Sequence, residues 1–188
     1  MLEYEKKIML TADEYLTTVK LMCQYVPAQT QTNYYFDTDD LSMNKNGITC
    51  RIRAKDGKYS ATIKYHDTEH PDCSVEEDLV EKTEYDPNIF NALGLHYQGE
   101  LVTDRIVLHR DSDCEMVIDR NTYLDYTDFE LEVEYCKESE HRAQLLLEGI
   151  AEALVAEEVL TDMNAFLART GQSKSKSQRF FQRKMQRR

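Results

Sequence analysis

Apolar and polar positions alternate with a period of two in eight segments rich in β-branched and aromatic residues and bounded by turn formers. They are residues 2–9, 33–37, 48–54, 58–65, 74–81, 101–109, 113–119 and 129–136. Lys55-Asp56-Gly57-Lys58 joins two of these as a hairpin, and Asp111-Ser112-Asp113 joins another pair. Helical spacing interrupts the pattern. Thr11 and Glu14 form a capping box ahead of the stripe Leu16, Val19, Cys23 and Val26, and Asp86-Pro87 opens a short helix that Gly94 closes. A helix from Glu138 to about Val155 carries Leu146, Ile150, Ala153 and Leu154 on one face, and Asp162 caps a last one ending near Gly171. Eight antiparallel strands with few helices predict an α+β fold: an antiparallel β-barrel, closed so that no strand edge is exposed, with the helices packed outside.

The charges within the strands give that barrel an unusual interior. Residues of equal parity share a face, which groups Glu3, Glu5 and Lys7; Arg51 and Arg53; Thr62 and Lys64; Glu76 and Asp78; Thr103 and Arg105; and Glu130, Glu132 and Glu134, with Asp119 ending the seventh strand. The opposite faces supply Ile52, Ile63, Val75, Val102, Ile106, Leu131 and Val133. In a single strand such a polar face is ordinary solvated exterior. Across six strands that reading weakens, because an apolar-in barrel leaves the amphipathic helices no hydrophobic surface to cover. The charged faces are therefore expected to point inward.

The chain has 188 residues and a formal charge of −12, enough for one domain with a sizeable core. Residues 173–188 form a basic tail with seven Lys or Arg and no acid, so the other 172 residues hold 16 basic against 35 acidic groups, a charge of −19. A body that acidic repels nucleic acid, and no nucleic-acid partner is expected. No stretch reaches the roughly 20 apolar residues of a membrane span, and the N-terminal residues lack signal-peptide order, so a cytoplasmic location without membrane association is expected. The five cysteines, odd in number and without a Cys-x-x-Cys, read as reduced, and the five histidines show no ligand spacing. A homodimer is compatible with the sequence.

Like charges crowded into a low-dielectric lumen cost several kcal/mol each unless paired or bound to ions. Clustered carboxylates suit Mg²⁺ or Mn²⁺, and clustered Arg and Lys suit phosphate oxygens. One cavity with both reads as a metal-dependent polyphosphate site. In order along the chain, Glu3-x-Glu5-x-Lys7, the Asn33-to-Thr38 run NYYFDT, Arg51-x-Arg53, Thr62-x-Lys64, the Glu76/Asp78 strand, Thr103-x-Arg105, Asp119 and the ELEVE strand at Glu130 resemble the CYTH domain of the triphosphate tunnel metalloenzymes. The SKSKSQRFF tail resembles the Lys-containing C-terminal segment of Firmicutes members.

The resemblance implies a single CYTH domain over 1–188, an eight-stranded tunnel and a small triphosphate-containing substrate. It implies hydrolysis by in-line attack of a metal-activated water, with inorganic tripolyphosphate the first substrate to expect. Thiamine triphosphatase, class IV adenylyl cyclase and a non-catalytic polyphosphate-binding module are the alternatives. By position it implies Glu3, Glu5, Glu76, Asp119, Glu130, Glu132 and Glu134 around the metal, Lys7, Arg51, Arg53, Lys64, Arg105 and Lys176 on the phosphates, and Glu3, Glu5 and Lys7 as catalytic. Some members carry Lys where this chain has Thr103, which bears on phosphate clamping at one end.

Overall fold

All eight expected strands form. They are β1 (Leu2–Leu10), β2 (Gln29–Asp37), β3 (Ile48–Lys55), β4 (Lys58–His66), β5 (Cys73–Lys82), β6 (His96–Arg110), β7 (Cys114–Tyr123) and β8 (Tyr126–Tyr135). The computed structural model describes residues 2–22, 26–66 and 73–187, without the side chains of Leu2, Glu3, His66 and Cys73; Cys23 and His70 also lie outside the described residues. The strands close into an antiparallel barrel in the order β1-β5-β4-β3-β2-β6-β7-β8. Its narrowest seam is between β1 and β5, where only Leu2↔Val75, Glu3↔Ser74 and Tyr4↔Cys73 pair. β2 and β6 begin several residues earlier than the pattern predicts. Gln29–Thr32 pairs with Val102–Arg105 and His96–Gly99 with Tyr35–Asp37, so the ladder extends through polar residues that carry no apolar alternation.

The helices are α1 (Ala12–Met22), α2 (Ser42–Lys45), α3 (Asn88–Asn91), α4 (Glu140–Ala156), α5 (Met163–Leu167) and α6 (Lys176–Gln186). The Thr11 capping box is present: the Glu14 N–H donates to Thr11 Oγ1 at 3.2 Å and the Thr11 N–H to Glu14 Oε2 at 2.7 Å. The predicted α1 stripe is corrected, because Leu16 is 61% exposed while Glu14 and Thr18 are buried and Tyr15 and Val19 pack beside them. Glu14 can be buried because the cap and Arg169, 2.8 Å away, satisfy its carboxylate. α2 and α6 were not expected. Ser42–Lys45 is too short to show periodicity, and α6 lies inside the basic tail. Among the described residues no helix is long and apolar enough to cross a membrane, and Cys50, Cys114 and Cys136 are free thiols.

Burial divides the apolar residues into three groups. Ile8, Ile106, Met116, Ile118, Leu131 and Val133 face outward from β1, β6, β7 and β8 and are covered by Ala143, Leu147, Ile150, Ala151 and Leu154 of α4 and Phe166 of α5. Phe36, Cys50, Ile52 and Ala61 pack outside β2–β4 against Phe90 and Leu95. Val75, expected under a helix, is instead 40% exposed. The third group lies at one end of the barrel, where Phe180 and Phe181 of α6 pack on Tyr35, Leu41, Leu101 and Tyr123. Gly99 permits this approach. It has φ +136°, and a Cβ there would lie 2.7 Å from Phe180 Cζ. Gly99→Ala is expected to destabilise the protein by about 1–3 kcal/mol through strain and overpacking, measured as a lower urea midpoint.

Candidate functional site: a charged cavity inside the barrel

The inward faces of the strands line a cavity of about 450 Å³. One wall is acidic. Period-two alternation across β1, β8 and β7 lines up Glu5 with Glu134, Lys7 with Glu132, and Glu134 with Glu115. The other wall is cationic, with Arg51 and Arg53 from β3, Lys64 from β4 and Lys55 from the hairpin between them. Arg105 and Arg110 of β6 lie between the two walls. A register shift between Val107 and His109 brings Arg110 opposite Glu115, to which it donates at 2.6 and 2.9 Å.

Almost every inward charge has a counter-charge. Arg51 Nη2 donates to both oxygens of Glu76 at 2.8 Å, and its Nε to Thr62 Oγ1 at 3.1 Å. Burial alone would raise the Glu76 pKa, but Arg51 and Arg53 outweigh it and hold the carboxyl at about 2. Arg105 forks onto Asp119 at 2.9 and 2.7 Å and reaches Glu132 at 2.8 Å. Lys7 contacts Glu5 at 2.7 Å and Glu132 at 3.2 Å. Burial would lower the pKa of Lys7, yet those carboxylates raise it above the usual lysine range. Glu132 is held well below the ordinary carboxylate range because Lys176, Lys7 and Arg105 override its burial.

Arg53 is the exception. Its Nε donates to Asn33 Oδ1 at 3.0 Å, and among the described residues no carboxylate forms an ion pair with it. Burial, followed by repulsion from Arg51, lowers its pKa to about 10.

The C-terminal segment forms the floor. The Gly171 N–H donates to the Lys7 carbonyl at 3.2 Å on β1, and the Ser177 hydroxyl meets Thr49 Oγ1 at 2.7 Å on β3, so residues 171–177 cross the barrel from one wall to the other. Ser175 caps α6 with a full capping box closed by Gln178. The first turn then places Lys176 Nζ against Asp119 at 3.0 Å, Glu132 at 2.8 Å and Glu130. These three buried carboxylates, whose ligand atoms lie within 4.8 Å of one another, are the one such acidic group of metal-binding size among the described residues. Here the lysine ammonium bridges them. One turn on, Arg179 pairs with Asp128 at 2.9 Å and Glu130 at 2.9 Å. Arg183 donates to the Leu124 carbonyl, Lys184 to that of Gln98, and Arg187 pairs with Asp125. The basic tail is thus a counter-charge to the chain's own acidic interior.

Of the residues predicted for the site, Glu5, Lys7, Arg51, Arg53, Lys64, Glu76, Arg105, Glu132, Glu134 and Lys176 line the cavity. Asp119 and Glu130 are fully buried behind Lys176. Glu3 sits on β1 opposite Ser74, with its side chain outside the described residues. Asp78 does not join the lining. A register shift at Ala61/Thr62 disturbs the alternation there, and Asp78 is exposed. Asn33, Asn121, Asp128 and Arg179 were missed. Asn121 donates to Asp128 at 3.0 Å and to Glu130 at 2.7 Å, and the parity of β7 and β8 could have found it.

The CYTH domain model matches residues 1–160. The chain belongs to the CYTH domain family. YjbK of Bacillus subtilis, named as a candidate triphosphatase, is 29% identical over 147 residues, 71% of this chain and 77% of YjbK. The crystal structure of a candidate adenylate cyclase from Bacillus halodurans has a TM-score of 0.66 at 24% identity, covering 95% of this chain and 97% of that one. HpAC1 of Hippeastrum, a candidate adenylyl cyclase described as having a dominant triphosphatase activity, has a TM-score of 0.58 at 18% identity, covering 80% of this chain and 86% of that one. At these identities the two structures share the fold with this CYTH chain. Its floor, residues 171–178, lies beyond the matched span.

Two predictions follow from the charges. Lys176→Met removes the cation shared by three buried carboxylates and leaves them only Arg105, Lys7 and Arg179, and a loss of up to about 3–5 kcal/mol is expected at pH 7.5, shrinking as lower pH protonates them. Urea unfolding at several pH values measures it. The Glu76 pKa is lowered from 4.5 to about 2 in the folded state. Its contribution is therefore full above the unfolded pKa and is lost as pH falls through that window, and Glu76→Gln should flatten the dependence of stability on pH in acid.

Proposed function

We propose that this CYTH domain hydrolyses triphosphate substrates with a divalent cation, inorganic tripolyphosphate being the simplest. The observation that carries the reading is the pairing of an acidic wall with a cationic wall across one cavity, together with Arg53, a cation facing it that forms no direct ion pair with a carboxylate among the described residues. A buried guanidinium in that state favours an anion able to accept its remaining N–H groups, and phosphate oxygens do so in bidentate fashion. The names given to YjbK and HpAC1 support the same chemistry.

In this reading Arg53, Arg51, Lys64 and Arg105 hold the phosphate oxygens and neutralise charge that develops on the leaving diphosphate. The oxygen-only donor set of Glu5, Glu132 and Glu134, with Glu3 from the same strand face, fits Mg²⁺ or Mn²⁺. Such an ion, when bound, neutralises phosphate charge and lowers the pKa of water. Lys7, kept protonated by Glu5 and Glu132, neutralises the phosphate nearest the acidic wall. Glu76 fixes Arg51 at the cavity wall, Asp119 and Glu130 fix cations from behind Lys176, and Lys176 forms the floor beneath the substrate.

Purified protein with Mg²⁺ or Mn²⁺ is expected to release phosphate from tripolyphosphate, and chelation by EDTA to abolish the release. Arg53→Ala should lower kcat/KM by about 10- to 100-fold, the value of a charge-assisted hydrogen bond. No phosphate from tripolyphosphate, ATP or thiamine triphosphate with either metal would overturn the reading, and cyclic AMP formed from ATP would redirect it to nucleotide cyclisation.

A further inference from the structure

Beside Arg51 and Arg53 the inward row of β2 is neutral, in a barrel whose other inward rows are charged; its one acid, Asp37 at the strand end, accepts from the Met43 and Asn44 N–H groups of α2. Gln31, Asn33 and Tyr35 share the face that looks at β3, where Asn33 pairs with Arg53 and Tyr35 with Arg51. Every other arginine buried among the inward charges is matched by carboxylates: Arg51 by Glu76, Arg105 by Asp119 and Glu132, and Arg179 by Asp128 and Glu130. Arg53 instead has an amide. Guanidinium groups only donate, so the Asn33 oxygen must face Nε, and Asn33 Nδ2 is left buried with no partner among the described residues. Asn33 is 0% exposed. An aspartate of nearly the same shape would satisfy Arg53 better and leave no stranded N–H, so the neutral residue gives up stability in the empty cavity.

We propose that Asn33 is a positioning residue that holds the Arg53 guanidinium in place without neutralising it, keeping its charge available for a phosphate group. This deepens the triphosphatase reading and rests on it. The lowered Arg53 pKa, caused first by burial and then by Arg51 and only partly offset by Glu76, agrees with a cation that has no direct carboxylate partner.

Asn33→Asp separates this role from a merely structural one, because its two expected effects have opposite signs. The ligand-free protein should melt at a higher temperature, since Arg53 gains a partner. Affinity for tripolyphosphate with Mg²⁺, measured by calorimetry, should fall at least tenfold, with kcat/KM falling at least as far. Unchanged affinity, or a fall in both Tm and affinity, would overturn the proposal. If Asn33→Asp does not fold, Asn33→Ala serves: it removes the acceptor that orients Arg53, and an affinity equal to wild type would equally overturn it. If the wild type neither binds nor turns over tripolyphosphate, the functional reading fails. The melting temperature of Asn33→Asp then still decides whether Asn33 leaves Arg53 uncompensated, a value no higher than wild type counting against it.

Discussion

Charge placed inside a barrel is the constraint on which the rest of this structure depends. A lumen has too little water to solvate a dozen ionised groups, so each carboxylate and each cation must find an opposite charge, a polar neighbour or a ligand. The barrel meets this demand by sorting the strands. β1, β7 and β8 carry the acids, β3 and β4 the bases, and Arg105 on β6 ties the two sides together through Asp119 and Glu132. The hydrophobic effect then works outward, with α4 and α5 covering the apolar backs of β1, β6, β7 and β8. Turning the charges inward and seating the helices outside are one arrangement seen from its two faces.

The acidic wall has more carboxylates than its own strands can balance, and the C-terminal helix supplies the difference. Lys176 and Arg179 enter where Asp119, Asp128, Glu130 and Glu132 converge, while Phe180 and Phe181 on the next positions are buried against Tyr35 and Tyr123. A single helix thus combines ionic and apolar anchoring. The first turn balances the interior and the second closes the barrel end. The cavity that remains has unlike walls, acidic on one side and cationic on the other.

Much of this was legible in the sequence because strand parity is a local property. The inward sets Glu3/Glu5/Lys7, Arg51/Arg53 and Glu130/Glu132/Glu134 follow from counting by two, and six such sets left little room for an exterior placement. Asp78, which the count places inward, is exposed where a register irregularity at Ala61/Thr62 interrupts the alternation, and Arg110 escaped the count because of another at Val107/His109. α6 was hidden for a different reason. Its run of Lys, Arg, Gln and Ser has no apolar stripe beyond two adjacent phenylalanines, so its burial rests on acids more than 40 residues away in sequence, such as Asp128 and Glu130. Asn33 was read only as part of a motif, since nothing local shows that an amide stands where the fold elsewhere uses carboxylates.

The match to the CYTH domain model stops at residue 160, yet the ammonium that bridges Asp119, Glu130 and Glu132 comes from residue 176. A fragment trimmed to that match would keep every strand and still lack its keystone. The charge balance of the chamber is therefore set in part by a helix that belongs to none of its staves.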